Sequence, residues 1–221
     1  MAYNFNSSFD FSACKALPPQ PPNTLITIPC PDQLVGHIYN GSFYMHKSRQ
    51  NIVYKMRNGV DAVTTSLKSS RIVIILESPH IKEFTTNPIK ALGPAMGRTG
   101  TLFEAHFDTL LKNSTIFNQL SKSSKHDVIF LNSVQYQCSL GQSIQKYRNR
   151  TNKIWIDCFN TLSTDLVRRI NALKPTAVIN LCTSTGALSL RVESVLKPLS
   201  LLYTRGTHPA SWRYPTNRYI V

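Results

Sequence analysis

The chain has 221 residues, long enough for one compact domain with a two-sided core. Hydrophobic residues make up 42% of it and charged residues 16%, a balance that excludes a wholly disordered protein. Lys and Arg number 25 against 11 Asp and Glu, a formal net charge of +14. This excess favours a polyanionic partner, with nucleic acid first, over the alternative of an ordinary basic surface.

The N-terminal sequence MAYNFNSSFDF lacks the features of a secretory signal, and the chain contains no apolar run of membrane-spanning length. We therefore expect a cytoplasmic monomer without a membrane partner. The five cysteines are irregularly spaced and include no CxxC pair, which favours reduced thiols over disulfides or a zinc site. The sequence predicts no metal and no cofactor.

Residues 1–70 differ in character from the rest of the chain. Four prolines between residues 18 and 22 predict a surface arm, and residues 34–63 predict a strand or short helices that lead into a sheet. We expect this arm and irregular lead-in segment to form one compact unit with an α/β domain at 71–221.

That second region alternates short apolar runs with helical patterns. Parallel strands buried on both faces are predicted at 71–77, 127–133, 176–182 and 199–204. Apolar residues at three- and four-residue spacing predict helices between them. The fold prediction is α/β, a three-layer sandwich with a central, mainly parallel four-stranded sheet.

Ligands of such sheets bind where the strands end, so chemistry is expected in the residues that follow each strand. There the sequence has ESPH from Glu77, NS from Asn132 and GTHP around His208. An Asn that caps a turn and a structural His remain open alternatives at these positions.

Four short motifs follow one another along this region of the chain. ILESPHIKEF resembles G-E-A-P-G-x-x-E-D, with Glu77, Pro79 and Glu83 on the matching positions. GPAMGRTGTLF resembles G-x-P-F-V-G-x-A-G-x-L-L through Gly97 and Gly100. FLNSVQYQ resembles I-T-N-V-V-K, and THPASW resembles a motif with H-P-S. Together, between residue 71 and about residue 213, they resemble the uracil-DNA glycosylase superfamily, in particular its thermophilic iron-sulfur branch.

The resemblance implies a monofunctional DNA glycosylase that flips a base out of DNA and hydrolyses its N-glycosidic bond. Asn132 would read the base edge, and His208 would donate to the base O2 as negative charge builds there. Glu77 or Glu83 would orient the attacking water. The remaining base-binding positions would be Ser78, His80 and Ala95.

Three departures from the family pattern qualify this expectation. Ser78 stands where several branches have a water-activating Asp or Asn. The cysteines do not reproduce the spacing of the iron-sulfur ligands, although Cys138 and Cys158 lie near two of them, and we expect no cluster. Ala95 replaces the Phe that stacks on uracil, so either Phe84 or His80 stacks instead, or the base is bulkier, as in hypermodified phage DNA. The last case would suit a role in antiviral defence.

DNA contacts are predicted from the region after His208 and from a basic run. Trp212 is the candidate for an apolar wedge that fills the space of the flipped base. Phosphate contacts are predicted for Arg205, Arg213, Arg218, Lys146, Arg148 and Arg150, the last three in an expected loop.

Two alternatives remain. In the first, the chain would be a catalytically silent nucleic-acid-binding module on the same fold, and in the second it would be a hydrolase of free nucleosides.

Overall fold

The computed structural model describes residues 28–57, 60–68, 70–120, 124–138, 144–183 and 187–221. The side chains of residues 57 and 144–151 lie outside that description.

A central sheet of six strands organises the protein, in the order β2-β1-β6-β5-β7-β8. Its strands are β1 (Gln33–Tyr39), β2 (Ser42–Asn51), β5 (Ser70–Leu76), β6 (His126–Asn132), β7 (Ala177–Asn180) and β8 (Leu202–Arg205). A separate antiparallel pair consists of β3 (Tyr54–Arg57) and β4 (Val60–Val63). In the central sheet, β5 pairs in parallel with both β6 and β7, and β7 pairs in parallel with β8. The predicted α/β fold with a mainly parallel sheet is confirmed.

The predicted number of strands is wrong, because β1 and β2 extend the sheet by an antiparallel hairpin. The hairpin turns at Asn40 and Gly41, whose φ angles of 48° and 76° are those of a tight hairpin turn. β1 then pairs antiparallel with β6. A register shift between Leu34 and Gly36 interrupts the alternation of buried and exposed residues in β1, which conceals the strand in the sequence.

Helices cover both faces of the sheet. They are α1 (Arg98–Lys112), α2 (Thr115–Gln119), α3 (Ile144–Leu173) and α4 (Leu188–Leu196). Ile72 and Ile74 of β5 pack in one core cluster with residues of α1 and α2, whereas Val73 and Ile75 pack in another with residues of α3 and α4. Within the described residues, no helix is both long and apolar enough to cross a membrane.

Candidate functional site

Asn132 is the last residue of β6, at the carboxyl edge of the parallel strands. Side chains alternate along a strand, and Val128 and Phe130 belong to the α1-side cluster. The Asn132 side chain therefore belongs to the α1 side, where it is only 2% exposed.

Glu83 lies at the end of a 3-10 turn, Ile81–Glu83, which four residues separate from the end of β5 at Leu76. The Nδ1 atom of His80 caps this turn by accepting from the Lys82 backbone N–H at 3.2 Å. The Glu83 carboxyl is 6% exposed, and its Oε1 accepts from the Ala95 N–H at 2.7 Å. Burial raises the pKa of Glu83 from 4.5 to about 8, although the Ala95 and His80 backbone and the Arg49 charge act in the opposite direction.

Glu83 and Asn132 lie next to each other, and each has an unused polar atom. The Asn132 amide is close enough to favour the ionised form of Glu83. Yet Glu83 Oε2 and Asn132 Nδ2 are buried without a hydrogen-bond partner among the described residues. Buried polar atoms are normally paired, so in this arrangement Asn132 Nδ2 and Glu83 Oε2 are open to each other or to a ligand that comes between them.

Cys30 is a third member of this group that the sequence did not suggest. Its backbone N–H donates to Gln135 O at 2.7 Å, which places the segment before β1 beside the end of β6. Burial raises the pKa of the Cys30 thiol, and the neighbouring Glu83 charge raises it further. The thiol is therefore a neutral part of the wall around Asn132.

A strained turn supplies the backbone N–H that binds Glu83. Ala95 has a φ of 54°, which is unusual for a residue with a side chain, and it is 1% exposed. Gly100 of α1 lies so close that a Cβ there would come within 2.0 Å of the Ala95 carbonyl oxygen. This close approach explains the second glycine of the GRTG motif, Gly100.

Asn132 is held from the other side of the sheet by Arg169 of α3. Both terminal nitrogens of the guanidinium, Nη1 and Nη2, donate to the Asn132 carbonyl at 3.1 Å. Its Nε donates to Asp165 at 2.8 Å, and Nη1 donates to Asp32 at 3.0 and 3.2 Å. Burial alone would lower the pKa of Arg169, but the charges of Asp32 and Asp165 raise it. The backbone of Asn132 is thus fixed by a fully buried ionic network.

His208 lies in the loop after β8. Its Nδ1 accepts from the Ala210 N–H at 3.2 Å, so in the neutral ring the proton is on Nε2, which is then a donor. The strands β5 and β7 separate β8 from β6, a span of about 14 Å at the usual strand spacing. The loop returns over the α1 side, where Trp212 stacks on Phe103 at 5.9 Å and Phe103 packs edge-on against Phe130 of β6 at 4.7 Å.

The position of Trp212 contradicts its predicted role as a wedge. Trp212 is 0% exposed and belongs to the α1-side core, and its Nε1 donates to Thr207 Oγ1 at 2.9 Å. A ring held in the core cannot enter DNA. An exposed ring of this loop is Tyr214, which is 50% exposed and lies under the Arg213 guanidinium at 4.4 Å.

Glu77 is not brought together with Asn132. It follows Leu76, which faces the α1 side, so the alternation directs Glu77 to the opposite face. Burial raises the pKa of Cys182, and the Glu77 charge raises it further, which places Glu77 near a residue of the α3-side core. Its carbonyl accepts from Ser133 Oγ at 2.5 Å and from Trp155 Nε1 at 2.9 Å. Ser78 beside it is half-buried.

The predicted phosphate-binding residues fall into separate groups. Arg205 pairs with Glu193 at 3.5 Å, and Arg213 is exposed on the tip of the loop after β8. The Nε of Arg218 donates to the Trp212 carbonyl, so this arginine braces the loop. The segment with Lys146, Arg148 and Arg150 forms the start of α3, not a loop, because it lacks Gly and Pro and contains good helix formers. Their side chains lie outside the described part of the chain.

The four described cysteines, Cys30, Cys138, Cys158 and Cys182, are buried free thiols. Among the described residues, no three His, Cys, Asp or Glu side chains are placed to hold a metal. No protein-family model matches the chain, and no curated protein matches it.

Proposed function

We propose that the protein is a monofunctional DNA glycosylase that excises a flipped pyrimidine. The observation that carries the proposal is the buried pair of Glu83 Oε2 and Asn132 Nδ2, which have no hydrogen-bond partner among the described residues. The base edge supplies an acceptor for Asn132 Nδ2, and the attacking water supplies a donor for Glu83 Oε2. The motif order in the sequence and the +14 charge support the same function.

Each residue has a distinct role in this proposal. Asn132 reads the base edge, and Arg169 behind it limits its movement. Ionised Glu83 accepts a hydrogen from the attacking water through Oε2 and stabilises the cationic sugar as the bond breaks. The His208 Nε2–H donates to the base O2, which carries the developing negative charge. Glu83 takes the water-activating role in preference to Glu77, because Glu83 lies beside Asn132, whereas Glu77 lies near Cys182 of the α3-side core.

The substrate is uracil or a bulkier modified pyrimidine, with hypermodified phage cytosine as the extreme case. The resemblance favours the larger base, because Ala95 stands where the family pattern has a Phe. The exposed tip formed by Arg213 and Tyr214 offers a cation and an aromatic face to the DNA.

The test is an assay of alkali-labile strand breaks on duplex and single-stranded DNA that contains uracil or bulky modified pyrimidines. We expect wild-type protein to produce breaks with at least one of these substrates. Asn132→Ala and His208→Ala should each lower the rate by roughly 100-fold or more while DNA binding is nearly unchanged.

Asn118→Ala is the matched control, because Asn118 is exposed on α2. It should retain the wild-type rate. DNA binding without breaks on every substrate would indicate the silent binding module, and neither binding nor breaks would indicate the nucleoside hydrolase. Normal turnover in both site variants would contradict the assigned site.

A further inference from the structure

Arg49 reaches the candidate site from the edge strand β2, outside every motif. Its Nη1 donates to Pro94 O at 2.6 Å and approaches Met96 Sδ at 3.4 Å. Its Nη2 donates to Ala95 O at 3.4 Å. The guanidinium also lies over the Phe130 ring of β6 at 5.7 Å. One side chain thus clamps the whole turn at 94–96 against the sheet.

The clamped turn is the one that supports Glu83. The Ala95 N–H donates to Glu83 Oε1, and Ala95 has the strained φ of 54°. Residues in this conformation persist only where surrounding contacts impose it. Since Arg49 binds the two carbonyls on either side of this N–H, it helps to impose the conformation that aims the N–H at Glu83.

The charges of Arg49 and Glu83 favour the same arrangement as the contacts of Arg49 with the turn at 94–96. Burial lowers the pKa of Arg49, whereas the charges of Glu83 and Glu104 raise it. In return, the Arg49 cation favours ionised Glu83. The other groups that face Glu83 are the Asn132 amide, the neutral Cys30 thiol and the backbone N–H groups of His80 and Ala95. Arg49 is the full positive charge in this set of described neighbours.

We propose that Arg49 is a positioning residue of the site, which clamps the turn at 94–96, holds Glu83 beside Asn132 and favours its water-accepting form. This inference rests on the proposed glycosylase function for its catalytic meaning. Its structural part, the support of Glu83, is independent of any substrate.

The experiment compares Arg49→Met and Arg49→Lys with Lys47→Met, an exposed position on the same strand. The protonation of Glu83 is followed by NMR of its labelled side-chain carboxyl carbon, with Glu83→Gln to assign the signal. Base release is measured across pH on the substrate that wild-type protein cleaves.

Arg49→Met should raise the titration midpoint of Glu83 above the wild-type value, because the favourable cation is lost. The alkaline rise in base release should shift with it, and kcat should fall roughly tenfold or more with little change in KM. Arg49→Lys should return the midpoint toward the wild-type value and restore part of kcat, because it keeps the charge without the two-carbonyl contact. Lys47→Met should match wild-type protein in both measurements.

An unchanged Glu83 midpoint in folded Arg49→Met protein would overturn the proposal. If Arg49→Met does not fold, a folded Arg49→Lys with wild-type kcat would also overturn it. If wild-type protein cleaves no substrate while the midpoint still shifts in Arg49→Met, the glycosylase function fails and the support of Glu83 by Arg49 stands.

Discussion

Two buried polar clusters meet at Asn132, and they differ in how fully their groups are paired. On the α3 side, the guanidinium nitrogens of Arg169 donate to Asp165, Asp32 and the Asn132 carbonyl. Both carboxylate oxygens of Asp32 accept hydrogen bonds. On the α1 side, the buried Glu83 Oε2 and Asn132 Nδ2 have no hydrogen-bond partner among the described residues.

This difference separates a structural role from a functional one. On the α3 side each guanidinium nitrogen of Arg169 is paired, and of the Asp32 and Asp165 oxygens only Asp165 Oδ1 lacks a partner among the described residues, so this network mainly fixes the backbone. An unpaired donor and acceptor cost stability and persist where something else completes them. The same residue, Asn132, therefore has a fixed main chain on one side of the sheet and an unsatisfied amide on the other.

The largest effect should follow from the loss of the paired network. Arg169→Met leaves Asp32 and Asp165 buried without their cation and should lower the free energy of unfolding by about 3–5 kcal/mol. Arg168→Met is the matched control, because the neighbouring Arg168 pairs with Asp61 at 2.8 Å with 41% of its side chain exposed. It should cost about 1 kcal/mol or less. Urea unfolding measures both, and equal losses would refute the distinction between the two arginines.

Trp212 and Tyr214 extend the comparison to the loop after β8. Trp212→Ala removes a fully buried ring and should cost about 3 kcal/mol or more. Tyr214→Ala should change stability by no more than about 0.5 kcal/mol while it weakens DNA binding, because this ring is exposed. Thermal unfolding and fluorescence anisotropy with labelled DNA measure the two effects. A stable Trp212→Ala protein with a selective loss of DNA binding would restore the wedge role that burial argues against.

The strands β5, β6 and β7 could be predicted because each contains an apolar run that is buried on both faces, and β8 could be predicted from its apolar residues although it is only partly buried. Asn132 could be selected because it ends a strand and matches a motif, and Glu83 because it matches the second Glu of the first motif. The contacts of Arg169 with Asp32 and of Arg49 with Ala95 could not, because they join residues 137 and 46 positions apart without a local pattern. The burial of Trp212 could not be predicted, because a motif position does not reveal whether a ring points to solvent or into the core.

The charge of Glu83 affects stability with the opposite sign. Its pKa is raised from 4.5 to about 8 in the folded protein, so between these values the folded state binds more protons than the unfolded state. Stability from this group is therefore full below pH 4.5 and is lost as the pH rises to 8. The penalty at pH 7 is about 3 kcal/mol. Glu83→Gln removes the charge and should gain stability relative to wild-type protein as the pH rises from 5 to 8.

The most direct test of the central claim is a paired measurement on Glu83→Gln at pH 8, with unfolding free energy and base-release rate determined on the same preparation. If Glu83 is retained for function at a cost in stability, Glu83→Gln protein should be more stable than wild-type protein and should release base much more slowly. A variant that is less stable and releases base at the wild-type rate would contradict the account, because Glu83 would then be a structural residue.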